Sequence, residues 1–267
     1  MILEECVEEW NLKGYDVRFI VPDHFIIIRK IQIPGDIDDD EIKGYLYLEL
    51  GTSIHLPFEE PVFDIFVVGT VGDKKEVLLF AAPEEVVNDY AEVLEEAKLK
   101  PIAADISSLS IHRLYYKLDL GNPKDHLMII QFDLEMVNVS VFHNFMPIFM
   151  RHLTMDLNYT LWKKNSTGQL VWTGDQDDLM GQMEDIFTEI YRMMNFYRFS
   201  LQHGKGEVTK ILLTGDHPNF EKIYNRLVGM EEAPVETIQQ SHLLDSTGEV
   251  LHRHYHLALG LSLKEVK

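Results

Sequence analysis

The chain has 267 residues, of which 46% are hydrophobic and 25% charged, a composition typical of a globular protein with one large domain or two ordinary ones. Its formal net charge of −20 argues against nucleic acid or an anionic membrane as a direct partner. The sequence has no apolar run of about 18 residues, which excludes a membrane-spanning helix. Cys6 is the single cysteine, so an internal disulfide is excluded, and the acidic start lacks signal-peptide features. We therefore expect a cytoplasmic protein.

The first part of the chain predicts strands and helices in succession. Prolines at Pro22 and Pro34 interrupt its first strand-like runs. The acidic residues that follow suit the positive end of a helix dipole, with Asp38 or Asp39 as the N-cap. The predicted elements are a helix over 3–12, strands within 17–33, a helix over 42–50, a strand hairpin over 62–82, a helix over 84–98, a short strand from 101 and a helix over 107–118.

A turn-rich segment at residues 121–125 is the best candidate for a domain boundary. The chain beyond it again mixes strands and helices. Its predicted elements are a β-meander over 126–153 with turns near 133–135 and 143–146, a polar connector over 158–178 that caps the next helix, a long helix over 179–201, a strand over 208–214, a helix over 220–227, a strand near 234–238 and a closing segment over 255–263.

The charge is unevenly distributed along the chain. Residues 1–100 contain 23 acidic and 9 basic side chains, and residues 101–267 contain 21 and 15. A basic peptide would be steered toward the first part by this potential. Ordinary solubility explains the same charge equally well.

Two sets of spaced residues carry a family resemblance. The first part contains R-x-I-x-x-P, then a helix ending in Glu, then I-x-x-P-x-x-E-x-x-x-D, and the second part contains F-x-R, F-Y-R, a buried strand ending at a glycine, and A-L-G-L. In order and spacing these segments resemble the PilM family, the actin-like cytoplasmic proteins of type IV pilus machines. The matching positions are Arg29, Ile31, Pro34, Glu49, Ile54, Pro57, Glu60, Asp64, Asp133 through Phe149, Arg151, Phe196 through Arg198, 211–216 and Ala258 through Leu261.

The resemblance implies an actin-like α/β fold of the RNase H-like, FtsA/PilM type with two lobes. Residues 1–120 would form the first lobe, with a small inserted subdomain over about 24–80, and residues 121–267 would form the second. Members of the family open with a phosphate-binding hairpin, D-I-G-x-x-x-[VI]-K. Nothing before Val17 is similar to it, so we expect an N-terminally shortened version of the fold.

The resemblance also implies a function in the inner-membrane assembly platform of a type IV or competence pilus. The protein would be a scaffold at the cytoplasmic face of the membrane, held there through a partner. That partner would be the cytoplasmic N-terminal tail of a PilN-like membrane protein, with PilO-type and motor components as further partners. The tail would lie in a groove between the core of the first lobe and its inserted subdomain. The candidate groove residues, each of which also has an ordinary structural explanation, are Arg29, Leu48, Glu49, Ile54, Pro57 and Asp64.

The nucleotide loops of the family are altered in this chain. The second phosphate loop should read D-x-G, whereas the chain has Asp133-Leu134-Glu135, and the G-G of the adenosine side is Gly215-Asp216. A leucine side chain and added carboxylates would block and repel a phosphate. We therefore expect no enzyme activity and no cofactor, with Asp133, Gly215 and Asp216 as remnants of a nucleotide site and ATP only in a full-length form.

Three alternatives are open. An active actin-like ATPase would need the opening phosphate loop, and an FtsA-like division protein would carry a C-terminal amphipathic membrane helix, which LKEVK does not provide. A metal site would use His252, His254 and His256, which share a face if this segment is a strand. However, they have no Cys or carboxylate at ligand spacing, which favours a solvated segment without metal.

Overall fold

The computed structural model describes residues 2–238, 243–245 and 247–266, which fall into two compact units. Unit 1 runs to Ser107 and includes Glu265, and unit 2 is Ser108–Lys264. The predicted lobes divide between residues 120 and 121, and that assignment stays a prediction. Within the described ranges, no helix is both long enough and apolar enough to cross a membrane.

Unit 1 contains two sheets. A parallel pair joins its first strand to its last, and a three-stranded antiparallel sheet lies between them in the chain. In that sheet β4 is central and β2 and β3 flank it. The elements are α1 (Ile2–Glu9), β1 (Asp16–Ile20), β2 (Ile27–Pro34), α2 (Ile42–Glu49), β3 (Pro61–Val71), β4 (Lys74–Pro83), α3 (Glu84–Glu96) and β5 (Lys100–Asp105).

Helix α2 packs on one face of the three-stranded sheet. Ile42 and Leu46 are fully buried one turn apart, as the apolar stripe predicts, and they contact inward-facing strand residues such as Phe63 and Leu79. The predicted N-cap was wrong, because Glu41 occupies that position and its side chain makes no capping bond. Oδ1 of Asp39 instead lies 2.7 Å from Nζ of Lys75. The carboxylate therefore forms an ion pair with a residue far away in the sequence and does not cap the helix.

Unit 2 is built on a five-stranded sheet of order β12-β11-β6-β7-β8. Strands β12, β11 and β6 are parallel, and β6, β7 and β8 form an antiparallel meander, as predicted. The elements are α4 (Ser107–Lys117), β6 (His126–Phe132), β7 (Met136–His143), β8 (Met146–Thr154), β9 (Trp162–Lys164), β10 (Leu170–Trp172), α5 (Gln176–Asn195), β11 (Lys210–Thr214), α6 (Phe220–Val228), β12 (Val235–Thr237) and α7 (His256–Ser262).

Helices cover both faces of this sheet. Alternate strand residues such as Ile130 and Phe132 pack with α5 and α6, whereas Ile129 packs on the other face with α4 and α7. Helices α4 and α7 approach closely at Gly260, where an added Cβ would lie 2.0 Å from the carbonyl oxygen of Ser110. Only glycine permits this approach.

Two predicted segments differ in detail from the structure. The segment predicted as a polar connector contains a small hairpin, β9–β10, because Trp162 is buried in the main core of unit 2. The long helix begins at the predicted cap, where the Asp175 side chain accepts from the Asp177 N–H at 2.8 Å. It then changes to a π-helix over Phe196–Leu201.

Candidate functional site

The first candidate site is an apolar pocket of about 430 Å³ in unit 1. It lies where the chain leaves α2 and turns toward β3. The carbonyl of Glu49, the last residue of the helix, accepts from the N–H groups of Thr52, Ser53 and Ile54 at 3.0–3.2 Å, which folds the turn back on the helix end. The pocket is lined by Leu50, Gly51, Ile54, His55, Leu56, Pro57, Phe58, Glu59 and Pro61.

Four of the six predicted partner-binding residues lie at or next to this pocket. Ile54 and Pro57 line it. Ile54 also belongs to the core under α2, and only 6% of its surface is exposed. Glu49 is half-buried and accepts a hydrogen bond from the Ser53 hydroxyl. Leu48 precedes it on α2, and 76% of its surface is exposed. Their role in binding a partner stays a prediction.

The other two predicted residues lie on the flanking strands of the sheet. Arg29 on β2 pairs with Leu79, and Asp64 on β3 pairs with Phe80. Because consecutive residues of a strand point to opposite faces, Arg29 and Asp64 are on opposite faces of the sheet. Asp64 Oδ1 nevertheless lies 3.9 Å from Nζ of Lys43 on α2, the helix that packs on the face of Arg29.

The second candidate site is a cavity of about 360 Å³ in unit 2. It lies at the carboxyl ends of the parallel strands β6 and β11, where the turns after both strands meet. The three predicted remnants all line it, and the Asp216 N–H donates to Asp133 Oδ1 at 3.3 Å. Its full lining is Ile111, Gln131, Asp133, Leu134, Glu135, Met136, Thr214, Gly215, Asp216, Arg253, His254 and Leu257.

Gly215 is required by packing between the two turns. Its φ is +109°, and a Cβ there would lie 2.2 Å from the carbonyl oxygen of Phe132. The place of a side chain at this position is thus occupied by the backbone of β6. The following His217 N–H also donates to the Phe132 carbonyl, at 3.1 Å.

Among the described residues that line the cavity, Arg253 is the only arginine or lysine. Its guanidinium lies over the Phe220 ring at 4.1 Å. Burial lowers the pKa of Arg253, with Glu221 and Asp216 acting in the opposite direction, and an arginine remains a cation at neutral pH. Three carboxylates, those of Asp133, Glu135 and Asp216, line the same cavity.

The histidine segment is not a strand. His252 precedes a 3₁₀ turn over Arg253–Tyr255, and His256 begins α7, so the three histidines do not alternate on one face. The predicted solvated segment is wrong at His256, which is 3% exposed, because α7 packs it inward. The described residues contain no group of three or more His, Cys, Asp or Glu placed to hold a metal ion.

A family model described as type IV pilus assembly protein PilM matches residues 1–156. This chain belongs to the PilM family. The match covers unit 1 from its start to Ser107 and continues through the β-meander that opens the sheet of unit 2. It therefore includes the pocket beside Ile54 and the turn that carries Asp133. No protein with a curated description matches the chain.

Solved structures show the fold of this PilM-family chain. A PilM–PilN type IV pilus biogenesis complex matches it with a TM-score of 0.74 and 18% identity, over 98% of this chain and 84% of that one. The cytoplasmic domain of EpsL, an inner-membrane component of the Vibrio cholerae type II secretion system, matches with a TM-score of 0.50 and 10% identity, over 99% and 81%. The predicted actin-like mixed α/β fold is confirmed.

Sequence reasoning missed several lining residues of both sites. In the pocket of unit 1, the missed residues His55, Leu56 and Phe58 come from a proline-containing loop without periodicity, so their apolar and aromatic side chains were the available signal. In the cavity, Gln131 and Arg253 were missed. A glutamine in an otherwise apolar strand was the available signal for Gln131, since β6 is buried along nearly its whole length.

Proposed function

We propose that this chain is a scaffold of a type IV pilus assembly platform that binds the cytoplasmic N-terminal tail of a PilN-like membrane protein. It would work at the cytoplasmic face of the membrane, held there through that partner. The observation that carries the proposal is the family match over residues 1–156. The similar structure of a complex between PilM and PilN supports a PilN-like partner.

The pocket beside Ile54 and Pro57 is the candidate site for an apolar anchor of the tail. Its apolar lining and its volume of about 430 Å³ suit one or two hydrophobic side chains. Glu49, Glu59 and Glu60 surround the same turn. Tails ahead of a membrane span are commonly basic on the cytoplasmic side, so the charges are complementary.

Strand β3 offers a second feature that suits an extended peptide. It flanks β4 on one side, and no described strand pairs with its other side. A peptide can add to such an edge through backbone hydrogen bonds while its side chains enter neighbouring pockets. Val62 and Phe66, which alternate with the buried Phe63 on β3, are exposed along this edge.

The test is a titration of the full chain with a fluorescent peptide of the PilN-like tail, followed by anisotropy. We expect micromolar binding that weakens between about 0.05 and 0.5 M salt, because the attraction is screened. Glu49→Ala and Leu48→Ala should weaken it about fivefold, whereas Glu92→Ala and Val93→Ala on α3 are matched controls. No binding by a sample that circular dichroism shows to be folded overturns the proposal.

We further propose that this chain does not turn over ATP. The cavity in unit 2 has three carboxylates against one guanidinium, and Leu134 lines it where the family has room for phosphate. A triphosphate would be repelled there unless metal ions offset its charge. Release of phosphate from Mg–ATP at the rate of the buffer blank is the expected result, and turnover that Asp133→Asn abolishes would contradict it.

A further inference from the structure

Two stacked histidines lie where the β-meander of unit 2 meets the end of α5. His126 is the first residue of β6 and His143 is the last residue of β7, and the two are opposite each other in the antiparallel register. Their ring centroids are 4.0 Å apart and their planes are inclined by 15°. Histidine changes its charge between pH 5 and 8, so this stack places in contact two groups that repel each other when both are protonated.

Nδ1 of each ring has a hydrogen-bond partner. His126 Nδ1 lies 2.5 Å from the hydroxyl oxygen of Tyr197, and His143 Nδ1 lies 3.3 Å from the carbonyl oxygen of Asp125. A carbonyl oxygen only accepts, so His143 Nδ1 carries a hydrogen. The side chain of Gln202 also hydrogen-bonds to that of Tyr197. With the amide donating to its oxygen, the Tyr197 hydroxyl donates to the unprotonated Nδ1 of a neutral His126.

Tyr197 joins the end of α5 to this pair. It belongs to the π-helix that ends α5, and none of its surface is exposed. Over residues 196–207, all of which are described, Tyr197 is the one buried residue. Phe199, for comparison, is 59% exposed, and the loop that follows contains His203 at a φ of +51°. The segment over 196–207 therefore depends on Tyr197 for its place on the sheet.

Other charged and titratable side chains lie on the elements around the pair. Lys210 of β11 is 3.5 Å from Asp125 and 3.3 Å from Glu236 of β12, and Arg198 of the π-helix is 3.2 Å from Glu207. His112 of α4 stacks on Phe142, the neighbour of His143 on β7. The carboxylates near the pair thus already have cationic partners.

These surroundings favour a neutral His126. Burial lowers the pKa of His126 and the neighbouring His143 adds to this shift, although Asp125 acts in the opposite direction. The contact with Tyr197 is therefore fully present above pH 6.5, the ordinary value, and is lost as the pH falls through the lower value of the folded protein.

Protonation of His126 removes what holds Tyr197. Nδ1 then carries a hydrogen and no longer accepts from the hydroxyl, so the buried tyrosine must turn its own proton toward another acceptor. The charged ring also lies 4.0 Å from His143, and the two rings repel each other when both are cations. Tyr197 is thus held by the neutral form of the pair.

We propose that the His126–His143 pair is an acid-sensitive latch that holds the end of α5 on the sheet of unit 2. The latch is closed near neutral pH. In mild acid it opens, and the segment over 196–207 separates from the sheet while the strands stay paired. With one buried residue, this segment opens at a lower cost than the core. The latch lies wholly in unit 2, so it is independent of tail binding by unit 1.

Titration of the histidine rings by NMR on the full chain measures the contacts of the latch. We expect His126 to titrate below the unperturbed value of about 6.5. Tyr197→Phe removes the hydroxyl that donates to the neutral ring, and His143→Asn removes the neighbouring cation, so each should raise the pKa of His126 by about 0.5. His203→Asn is the control, because His203 is exposed on the same segment and asparagine tolerates its positive φ.

Hydrogen exchange measures the opening itself. Between about pH 7.5 and pH 5, after correction for the intrinsic rate, the amides over 196–207 should lose at least about tenfold more protection than those of β11. His126→Asn places an acceptor where Nδ1 lies but does not titrate, so it should abolish this difference. The same variant separates the latch from His217 and His256, which it leaves unchanged.

Three results overturn the proposal. They are a pKa of His126 that neither Tyr197→Phe nor His143→Asn changes, protection over 196–207 that is equal at the two pH values, and a loss of protection in His126→Asn as large as in the parent. A loss spread evenly over unit 2 would also overturn it, because the opening would then be global.

Discussion

The two units bury their apolar side chains in different ways. Of the described residues, those of unit 2 form clusters of twenty-three and nine, whereas those of unit 1 form clusters of eight and three. Unit 1 also leaves Leu48 on α2 and Val62 and Phe66 on β3 exposed. Smaller cores hold less stability than larger ones, so local opening should cost less in unit 1. The unit that carries the candidate peptide pocket is thus the more adaptable one.

The largest expected effect is in the tight part of unit 2. Gly215→Ala should lower the free energy of unfolding by about 4 kcal/mol or more, because its Cβ would lie 2.2 Å from the Phe132 carbonyl oxygen. Gly168→Ala is the control, since its φ is +80° but nothing lies within 4 Å, so it should cost only about 1 kcal/mol. Urea unfolding measures both, and equal costs would mean that the turns after β6 and β11 are not tightly packed.

The same substitution in the two cores compares them directly. Ile190 of α5 and Ile42 of α2 are both fully buried. Ile190→Ala should lower the free energy of unfolding by about 4 kcal/mol. Ile42→Ala should lower it by about 2–3 kcal/mol, because the smaller cluster can relax into the space left by the side chain. Hydrogen exchange should show local opening confined to unit 1 in Ile42→Ala. Global unfolding in that variant would remove the distinction between the cores.

Acid should destabilise unit 2 selectively. Burial lowers the pKa of His256 to about 4, with His252, Arg253 and His254 adding to the shift, and burial alone lowers that of His217 to about 4. In the unfolded chain these histidines keep a pKa near 6.5, so as the pH falls they bind protons there before they do in the folded protein. The free energy of unfolding is therefore greatest above pH 6.5 and decreases as the pH falls toward 4. At pH 5.5 each of these two histidines should have lowered the free energy of unfolding by about 1.4 kcal/mol from its value well above pH 6.5. In unit 1 burial raises the pKa of Asp23, which favours the folded state in acid instead.

The variant His256→Met isolates one of these contributions. Neither ring nitrogen of His256 has a hydrogen-bond partner in the described structure, so methionine removes the titration without breaking a bond. The loss of stability between pH 7.5 and 5.5 should shrink by about 1.4 kcal/mol relative to the parent. An unchanged pH profile would mean that His256 is not held neutral.

The smallest expected effect compares the starts of two helices. Asp175 caps α5 through its side chain, and Glu41 begins α2 without a capping bond. Asp175→Ala should cost about 1 kcal/mol, and Glu41→Ala should change stability by less than about 0.5 kcal/mol. Thermal melts of the two variants measure the difference. A cost for Glu41→Ala as large as that for Asp175→Ala would contradict the assignment of the α2 cap.

Most of the element order could be predicted because local patterns determine it. The β-meander and helix α3 follow from alternation and from helical spacing, and both are present. The cap of α2 could not be predicted, since Asp39 binds Lys75, which is 36 residues away. The β9–β10 hairpin was missed because its strands have only three residues each, too few to show a pattern. The hairpin is held in place by Trp162, which packs in the core of unit 2.

The candidate sites were predictable only in part. Asp133 and Gly215 were identified from the family pattern, and they meet because β6 and β11 are parallel neighbours. The partner-binding residues were taken as one group, but Arg29 and Asp64 lie on opposite faces of their sheet, which depends on strand register. Arg253 reaches the cavity from a segment without periodicity, so no sequence pattern connected it with Gln131.

The approach of α7 to α4 gives a way to recognise distant relatives. Gly260 lies in the A-L-G-L segment, and the backbone of Ser110 occupies the place of its side chain. The Gly260 carbonyl also accepts from Arg113 at 2.8 Å, so the two helices are joined at the same point. This constraint does not depend on nucleotide, so it should persist in lineages whose phosphate loops have diverged. A search profile weighted on this glycine should therefore retrieve homologues that a profile weighted on the phosphate loops would miss.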